Sequence, residues 1–352
     1  MATPVATDTR TKREHEELVV QHGARSGATM AVAIHSTFLG PALGGVRLWH
    51  YQQDEDGVSD ALRLARGMTF KAAAAGLRLG GGKGVICAHS QEPPTGEERR
   101  AIFLDFGDLV DSLEGRYVTA EDVGTCPGDM IVIAERTRHV TGRPPERGGT
   151  GDPSPFTAIG VQAAMRASAK AAFGTPDLAG RHVVVAGLGH VGESLARGLA
   201  EAGAKLGLSD INPAKRAIAD ELDGNWLDPG HALETECDVI SPCAVGGAIH
   251  DGNVDHLRCR VICGAANNQL ADEGLATNLH ARGILYAPDF IANAGGLINV
   301  YREVHSYSAE RATELALGIE STMAGLIARA EAESCTPLAA AYTLAEERLA
   351  AG

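Results

Sequence analysis

The chain has 352 residues, 44% of them hydrophobic and 22% charged, and a formal net charge of −14 at pH 7. This length predicts two domains, and the composition is typical of a soluble globular protein. The acidic balance argues against nucleic acid or an anionic membrane as a partner, and no apolar stretch approaches the roughly 20 residues of a membrane helix. Seven scattered cysteines form no C-x-x-C pair and no H-E-x-x-H motif is present, so we expect no metal site and reduced thiols in a cytoplasmic protein.

The first half of the chain predicts alternating strands and helices. A strand over 28–37 leads into a turn-rich segment, and a helix over 61–76 leads into a glycine-rich loop around Lys83. A short buried strand, a helix over 96–113 and a further strand follow. This half contains no dinucleotide-binding motif. It ends at the segment 141–155, whose four prolines and four glycines predict a hinge.

The second half predicts a dinucleotide-binding domain. After a long helix, the residues RHVVVAGLGHVGESLARGLAEAGAKLGLSD have the pattern of a strand, a glycine turn, a helix and a strand. We therefore expect an α/β fold of two domains with a cleft between them. The first is a mixed α/β substrate domain over 1–148, onto which the C-terminal helix 331–352 packs back. The second is a doubly wound Rossmann domain over 149–330.

The glycine turn carries the cofactor prediction. Gly187, Gly189 and Gly192 form G-x-G-x-x-G between an apolar strand and an amphipathic helix, where a pyrophosphate can approach backbone amides. Asp210 ends the next strand, eighteen residues after the third glycine. A carboxylate there accepts hydrogen bonds from a ribose hydroxyl and repels a 2′-phosphate, so NAD is favoured over NADP. The intervening residues that complete the binding turn are Leu188, His190 and Val191.

Two lysines and one aspartate are the candidates for chemistry in the first domain. Lys71 lies near the end of a predicted helix, Lys83 stands among four glycines, and Asp122 follows a predicted strand. The glycines do not match a Walker loop, because Leu77 and Gly84 occupy the positions of its first glycine and its hydroxyl residue. They instead allow a small substrate to lie close to the backbone, within reach of the Lys83 ammonium.

Five motifs together resemble one enzyme family. The stretches LGPALGGVRLWHY, GMTFKAAAAGLRLGGGKGVI, YVTAEDVGT, CGAANNQL and YAPDFIANAGGLINV are similar to the glutamate/leucine/phenylalanine/valine dehydrogenase family. The resemblance runs from about residue 15 to the C-terminal helix. It implies a homo-oligomeric enzyme that uses NAD to deaminate an L-amino acid oxidatively and reversibly to a 2-oxo acid and ammonia.

The family roles carry over motif by motif. By this resemblance Lys71 binds the substrate α-carboxylate, Lys83 is the catalytic lysine, and Asp122 is its acid/base partner. Such a reaction needs a base near working pH, and burial beside another cation lowers the pKa of a lysine toward that range. The resemblance also implies further contacts: Gly44, Gly45 and Asn268 with the substrate, and Thr157, Ala244 and Asn267 with the cofactor.

The predicted side-chain pocket is apolar. By resemblance Leu43, Ala120, Leu297 and Val300 line it, and Leu43 stands where the glutamate-specific branch has a lysine. An unpaired buried carboxylate is costly, so glutamate is disfavoured and branched-chain aliphatic amino acids are favoured. A phenylalanine dehydrogenase stays open as an alternative. A catalytically inactive NAD-binding regulatory homologue is a second alternative, against which the joint presence of both lysines and Asp122 argues.

Overall fold

The computed structural model describes residues 15–88, 90–305 and 307–351. These residues form two compact units, one of residues 15–69 and 78–143 and the other of residues 70–77 and 144–351. The boundary between residues 143 and 144 falls inside the predicted hinge. The predicted functional domains, 1–148 together with helix 331–352 and 149–330, stay a prediction, and residues 1–14, 89, 306 and 352 lie outside the described part. Within the described ranges, no helix is both long and apolar enough to span a membrane.

The first unit is built on a five-stranded mixed sheet. Its sheet order is β1-β2-β4-β3-β5, where the elements in chain order are β1 (Glu17–His22), β2 (Thr29–Ser36), β3 (Ala42–His50), α1 (Asp54–Ala74), β4 (Gly80–Ala88), α2 (Gly96–Ser112), β5 (Tyr117–Glu121) and α3 (Pro127–Ala134). Strand β2 runs antiparallel to β1 and β4, whereas β3 runs parallel to β4 and β5. The order brings β4, β3 and β5 side by side although long segments separate them in the chain.

The two faces of this sheet are packed differently. On one face, large side chains of the sheet pack against α2 and α3: Met30, Ile34 and Tyr117 from the strands, with Phe103 and Phe106 of α2 and Met130 of α3. The opposite face holds small side chains that pack against α1, namely Ala31, Ala33, Val85 and Cys87 with Ala61 and Ala65. Burial of the large apolar face supplies most of the driving force for folding this unit, while the other face leaves room for polar groups.

The glycine-rich segment around Lys83 is a strand and not the predicted loop. Residues Gly80–Ala88 form β4, which is buried over nearly its whole length. A Cβ at Gly81 would lie 2.1 Å from the backbone nitrogen of Thr69, and one at Gly82 would lie 2.7 Å from the ring of Tyr117. The glycines therefore allow α1 and Tyr117 to approach the strand closely. The turn-rich LGPALGG segment likewise enters a strand, β3.

The second unit contains a six-stranded parallel sheet with helices around it. Its strands are β6 (His182–Ala186), β7 (Lys205–Ser209), β8 (Asn225–Trp226), β9 (Val239–Pro242), β10 (Val261–Ile262) and β11 (Leu285–Tyr286). Its helices are α4 (Ser154–Phe173), α5 (His190–Glu201), α6 (Arg216–Glu221), α7 (Leu275–Ala281), α8 (Asp289–Ala292), α9 (Gly295–His305), α10 (Ala309–Leu317), α11 (Ile319–Glu333) and α12 (Pro337–Ala351). The strand order is β11-β10-β9-β6-β7-β8.

This strand order confirms the predicted Rossmann domain. The chain winds outward from β6 to β8 on one side and from β9 to β11 on the other, as in dinucleotide-binding folds. The order reverses between β6 and β9, which are hydrogen-bonded neighbours. Ligands of such sheets bind at the carboxyl ends of the strands beside this reversal. The glycine turn after β6 lies at that place.

The C-terminal helix packs on residues of α1 that cluster with the second unit. Arg348 donates hydrogen bonds from Nη1 to the carbonyl oxygens of Ala73, at 2.9 Å, and of Ala74. These carbonyls belong to the last turn of α1, where a cation complements the negative end of the helix dipole. Phe70 also meets Tyr342 of α12 edge to face. The C-terminal helix thus fixes the segment that carries Lys71.

Candidate active site

An ion pair joins the buried Lys83 to the partly buried Asp122 in the first unit. Lys83 lies within β4 and is only 4% exposed, and Asp122 directly follows β5. The Lys83 Nζ lies 2.9 Å from the Asp122 Oδ2. Strand β3 separates the two strands in the sheet, so the pair spans it. The structure therefore brings together the two side chains that the sequence assigned to catalysis.

The glycines of β3 make this pairing possible. A Cβ at Gly45 would lie 2.4 Å from the Glu121 carbonyl oxygen and 2.8 Å from the Asp122 Cβ, so any larger residue would displace the aspartate. A Cβ at Gly44 would lie 1.8 Å from the carbonyl oxygen of Gly82 in β4. Both glycines thus have a packing role in bringing the strands together. Their predicted contact with a substrate stays a prediction.

Burial and neighbouring charges shift both groups of the pair. Burial lowers the pKa of Lys83 below its usual value; Asp122 opposes this effect and the nearby Arg47 adds to it. Burial alone would raise the pKa of Asp122, but the charges of Lys83 and Arg47 outweigh it, and the net shift is downward. Asp122 is therefore ionised at neutral pH, and Lys83 loses its proton more readily than an exposed lysine.

Arg47 is a functional candidate that the sequence reasoning missed. Its Nε lies 2.9 Å from the Asp122 Oδ2, and its Nη1 lies 2.8 Å from the Asp60 Oδ2. Asp60, on α1, also accepts hydrogen bonds from the Tyr51 hydroxyl at 2.8 Å and from Arg63 at 2.6 Å. One signal was available: Arg47 lies two residues after Gly45 in a strand, and side chains at that spacing share a face.

The glycine turn of the second unit has the geometry that a dinucleotide requires. Gly187 has φ +106, and a Cβ there would lie 2.7 Å from the backbone nitrogen of Ala244. A Cβ at Gly192 would lie 1.9 Å from the Gly187 carbonyl oxygen, so the helix packs closely on the turn. By contrast, a Cβ at Gly189 would meet nothing within 4 Å. The turn therefore leaves the N-terminus of α5 open, and a pyrophosphate fits there.

The neighbouring groups agree with this fit. Asp210 accepts hydrogen bonds from the backbone N–H groups of Leu188, at 2.7 Å, and Asn212, at 2.8 Å. Each carboxylate oxygen has a second lone pair for a ribose hydroxyl. Lys215 pairs with Glu193 at 3.1 Å, so its charge is partly neutralised. His190 and Ala244 are exposed beside the turn, and Val191 follows in α5.

Lys71 contacts Asn267 within the second unit. Its Nζ lies 3.4 Å from the Oδ1 of Asn267, which also accepts a hydrogen bond from Asn293 at 2.8 Å. Asn268 is exposed and has φ +51, a left-handed conformation that asparagine adopts more easily than most residues. Thr157 is buried in the first turns of α4 and donates to the Pro153 carbonyl. The structure thus associates Lys71 with Asn267, while their ligand roles stay predictions.

Comparisons with known proteins identify the family. Residues 12–139 match the model of the Glu/Leu/Phe/Val dehydrogenase dimerisation domain, and residues 209–351 match that of Glutamate/Leucine/Phenylalanine/Valine dehydrogenase. The chain belongs to the Glu/Leu/Phe/Val dehydrogenase family. It is therefore an oxidoreductase that acts on the CH–NH₂ group of an amino acid with a nicotinamide cofactor, and the family predicted from the five motifs is confirmed.

Individual members of the family resemble the chain over almost its whole length. The leucine dehydrogenase of Bacillus subtilis is 45% identical over 340 residues, which cover 96% of this chain and 92% of that enzyme. The valine dehydrogenase of Streptomyces virginiae is 44% identical over 347 residues, or 95% and 94% of the two chains. The crystal structure of L-tryptophan dehydrogenase from Nostoc punctiforme matches with a TM-score of 0.81 at 36% identity, covering 96% of each chain.

In this family member the predicted pocket residues are all buried within their own units. Leu43 on β3 and Ala120 on β5 are 2% and 7% exposed, and Leu297 and Val300 on α9 are 6% and 8% exposed. Alternation along β3 places Leu43 on the face of Gly45, opposite the apolar core that contains Val46. Leu43 therefore shares the face of the catalytic candidates, whereas the complete pocket stays a prediction.

Proposed function

We propose that the protein catalyses the reversible, NAD-dependent oxidative deamination of a hydrophobic L-amino acid, with leucine, valine and isoleucine favoured. The products are the corresponding 2-oxo acid and ammonia. The observation that carries this proposal is the pair of the buried Lys83 and Asp122, 2.9 Å apart, in a chain 44–45% identical to leucine and valine dehydrogenases. A lysine is buried at such cost only where its charge or its lone pair has a use.

The proposed roles follow from the chemistry of deamination. When bound, the oxidised nicotinamide accepts the hydride that leaves the substrate Cα. Lys71 holds the substrate α-carboxylate as a fixed positive charge. Lys83, in its neutral form, removes a proton from the water that attacks the iminium carbon, and its charged form then stabilises the developing oxyanion. The Asp122 carboxylate takes a proton from the substrate ammonium before hydride transfer and returns it to the amine of the carbinolamine. The amine then leaves as ammonia, and the carbinolamine hydroxyl loses its proton to solvent as the carbon becomes the carbonyl of the 2-oxo acid.

The apolar pocket residues support an aliphatic substrate. Leu43, Ala120, Leu297 and Val300 offer no charge to a substrate carboxylate, which argues against glutamate. The leucine and valine dehydrogenases among the relatives favour branched side chains, and the tryptophan dehydrogenase keeps an aromatic substrate as the second candidate. One methylene in an apolar pocket changes selectivity by only about 1–3 kcal/mol, so the preferred substrate must be identified by comparing kcat/KM values.

The cofactor and the assembly belong to the same proposal. Asp210 at the end of β7 favours NAD, because a 2′-phosphate would meet its negative charge. Glu193 engages Lys215 at 3.1 Å, so the charge of this nearby lysine is partly neutralised. We also expect a cytoplasmic homo-oligomer, since the family model matched by residues 12–139 is described as a dimerisation domain.

Initial rates with a panel of amino acids test the proposal. The panel is L-leucine, L-valine, L-isoleucine, L-phenylalanine, L-tryptophan and L-glutamate, each with NAD and with NADP. We expect kcat/KM to be highest for a branched-chain amino acid with NAD and lowest for glutamate. Highest activity with phenylalanine or tryptophan would overturn the pocket assignment. NADH binding without turnover of any amino acid would support the regulatory homologue instead.

A further inference from the structure

Two cations converge on one oxygen of Asp122. Lys83 Nζ, on β4, and Arg47 Nε, on the adjacent strand β3, each lie 2.9 Å from Oδ2. Across the described residues, the other oxygen, Oδ1, has no hydrogen-bond partner from a protein side chain or backbone. The carboxylate is thus fixed through one oxygen and keeps the second available.

Arg47 is itself held in place by Asp60 of α1. Its planar guanidinium bridges Asp122 and Asp60, with Nη1 at 2.8 Å from the Asp60 Oδ2. Asp60 in turn is fixed by the Tyr51 hydroxyl and by Arg63. A guanidinium that bridges two carboxylates is far more restricted in direction than a lysine ammonium. Asp60 on α1 and the Tyr51 hydroxyl therefore fix Arg47, and Arg47 in turn fixes Asp122.

We propose that Arg47 is a positioning residue for the reaction: it holds Oδ2 of Asp122 against Lys83 and so directs Oδ1 toward the substrate amine. This inference rests on the proposed function, in which Asp122 takes a proton from the substrate ammonium and returns it to the leaving amine. Arg47 acts through Asp122 and takes no part in bond making. Without Arg47, only Lys83 holds the Asp122 carboxylate, and the carboxylate can rotate about this single contact.

The charges around the Lys83–Asp122 pair determine how the loss of Arg47 changes the pH–rate profile. Lys83 is faced by Asp122, Arg47 and Asp60, and Asp122 is faced by Lys83 and Arg47. Removing the Arg47 cation takes away one group that keeps Asp122 ionised, so the pKa of Asp122 rises. It also removes one repulsion from the Lys83 ammonium, so the pKa of Lys83 rises as well. Both limbs of the pH–rate profile therefore move in the same direction, toward higher pH.

The surroundings of Arg47 permit a chemical rescue. Arg47 lines an open cavity of about 530 Å³ together with Trp49, Tyr51, Asp60 and Arg63. This volume is large enough to admit a guanidinium ion from solvent. In an Arg47→Ala variant, added guanidinium ion has access to the vacated place between Asp60 and Asp122. A residue that serves only the stability of the fold offers no such rescue of rate.

The experiment compares the wild type with Arg47→Ala, Arg47→Gln, Arg47→Lys and the control Arg25→Met. Arg25 pairs with the buried carboxylate of Asp105 in the same unit, at 2.7 Å, and so matches Arg47 as an arginine with a buried acidic partner. The measurements are kcat, KM, the pH dependence of kcat/KM, the rate with added guanidinium ion, and thermal unfolding. Arg47→Gln keeps donors without charge and replaces Arg47→Ala if that variant fails to fold.

We expect the neutral variants to lose roughly 10²-fold in kcat with little change in KM for NAD. Both limbs of their profile should move up by about one pH unit. Guanidinium ion should restore part of the rate of Arg47→Ala, and Arg47→Lys should keep its limbs near those of the wild type. The Arg25→Met control should keep the profile of the wild type whatever its melting temperature.

Two results would overturn the inference, and a third concerns the proposed function alone. Folded neutral variants with unshifted limbs, or a loss of rate no greater than in Arg25→Met, would reduce Arg47 to a structural ion pair. A wild-type protein without amino-acid dehydrogenase activity would refute the proposed function. This result would be known before any variant is compared with the wild type.

Discussion

The two functional regions of this chain work by opposite means. Around the buried Lys83, the partly buried side chains of Arg47 on β3 and of Asp122 after β5 come together, and their opposite charges neutralise one another. Around Gly187, the site is made by backbone amides and by the absence of side chains. The first region depends on the order of strands in a sheet, and the second on six consecutive residues. Substitutions in the first should therefore affect chemistry, and substitutions in the second should affect cofactor affinity.

The largest effect should follow from Lys83→Ala. Loss of the proposed base should lower kcat by roughly a thousandfold, a typical contribution of general acid–base catalysis. The variant should bind NADH as the wild type does, since Lys83 and the glycine turn belong to different units. Turnover assays and NADH fluorescence titrations measure the two effects. The control is Lys205→Ala, which removes an exposed lysine. Activity of Lys83→Ala near that of the control would refute the role of Lys83.

The glycine turn offers a matched pair of substitutions. In Gly192→Ala the new Cβ would lie 1.9 Å from the Gly187 carbonyl oxygen, so the turn must shift and the protein should lose about 1–3 kcal/mol of stability. In Gly189→Ala the Cβ enters open space, so stability should be unchanged. Both should bind NADH more weakly, the second by steric hindrance alone. Unchanged NADH affinity in Gly189→Ala would mean that the pyrophosphate lies elsewhere.

These two regions also differ in how far the sequence predicted them. The glycine fingerprint and the parallel sheet follow from local patterns, because each βαβ unit is continuous in the chain. The pairing of Lys83 with Asp122 came only from resemblance, since nothing local indicates that β3 lies between their strands. The loop predicted around Lys83 was wrong, because glycines that usually mark turns here allow close packing of strands and helix. Arg47 escaped notice because its partners lie on β5 and α1.

A smaller effect is expected from Leu43→Val, which tests the face on which Leu43 lies. Removing one methylene from a pocket wall should change the ratio of kcat/KM for leucine and valine by roughly tenfold. The control Leu48→Val makes the same change on the opposite face of β3, within the apolar core. It should lower stability without altering the ratio. An unchanged ratio in Leu43→Val would place the side chain of Leu43 outside the substrate pocket.

An effect of similar size concerns the choice between NAD and NADP. Asp210→Asn keeps an oxygen that can accept the Leu188 amide but removes the negative charge. The preference for NADH over NADPH should fall by about tenfold, which corresponds to about 1.5 kcal/mol for one charge-assisted hydrogen bond. Competitive titration with the two reduced cofactors measures it. A preference unaffected by the substitution would show that Asp210 only orders the turn.

The central claim is that the Lys83–Asp122 pair catalyses the reversible loss of ammonia from the Cα of a branched-chain amino acid. The most direct test is NADH oxidation by the wild type and by Lys83→Ala, with the 2-oxo acid of leucine, in the presence and absence of ammonium. We predict that oxidation by the wild type requires ammonium and that the variant shows almost none. Oxidation without ammonium, or equal rates in the two proteins, would contradict the claim.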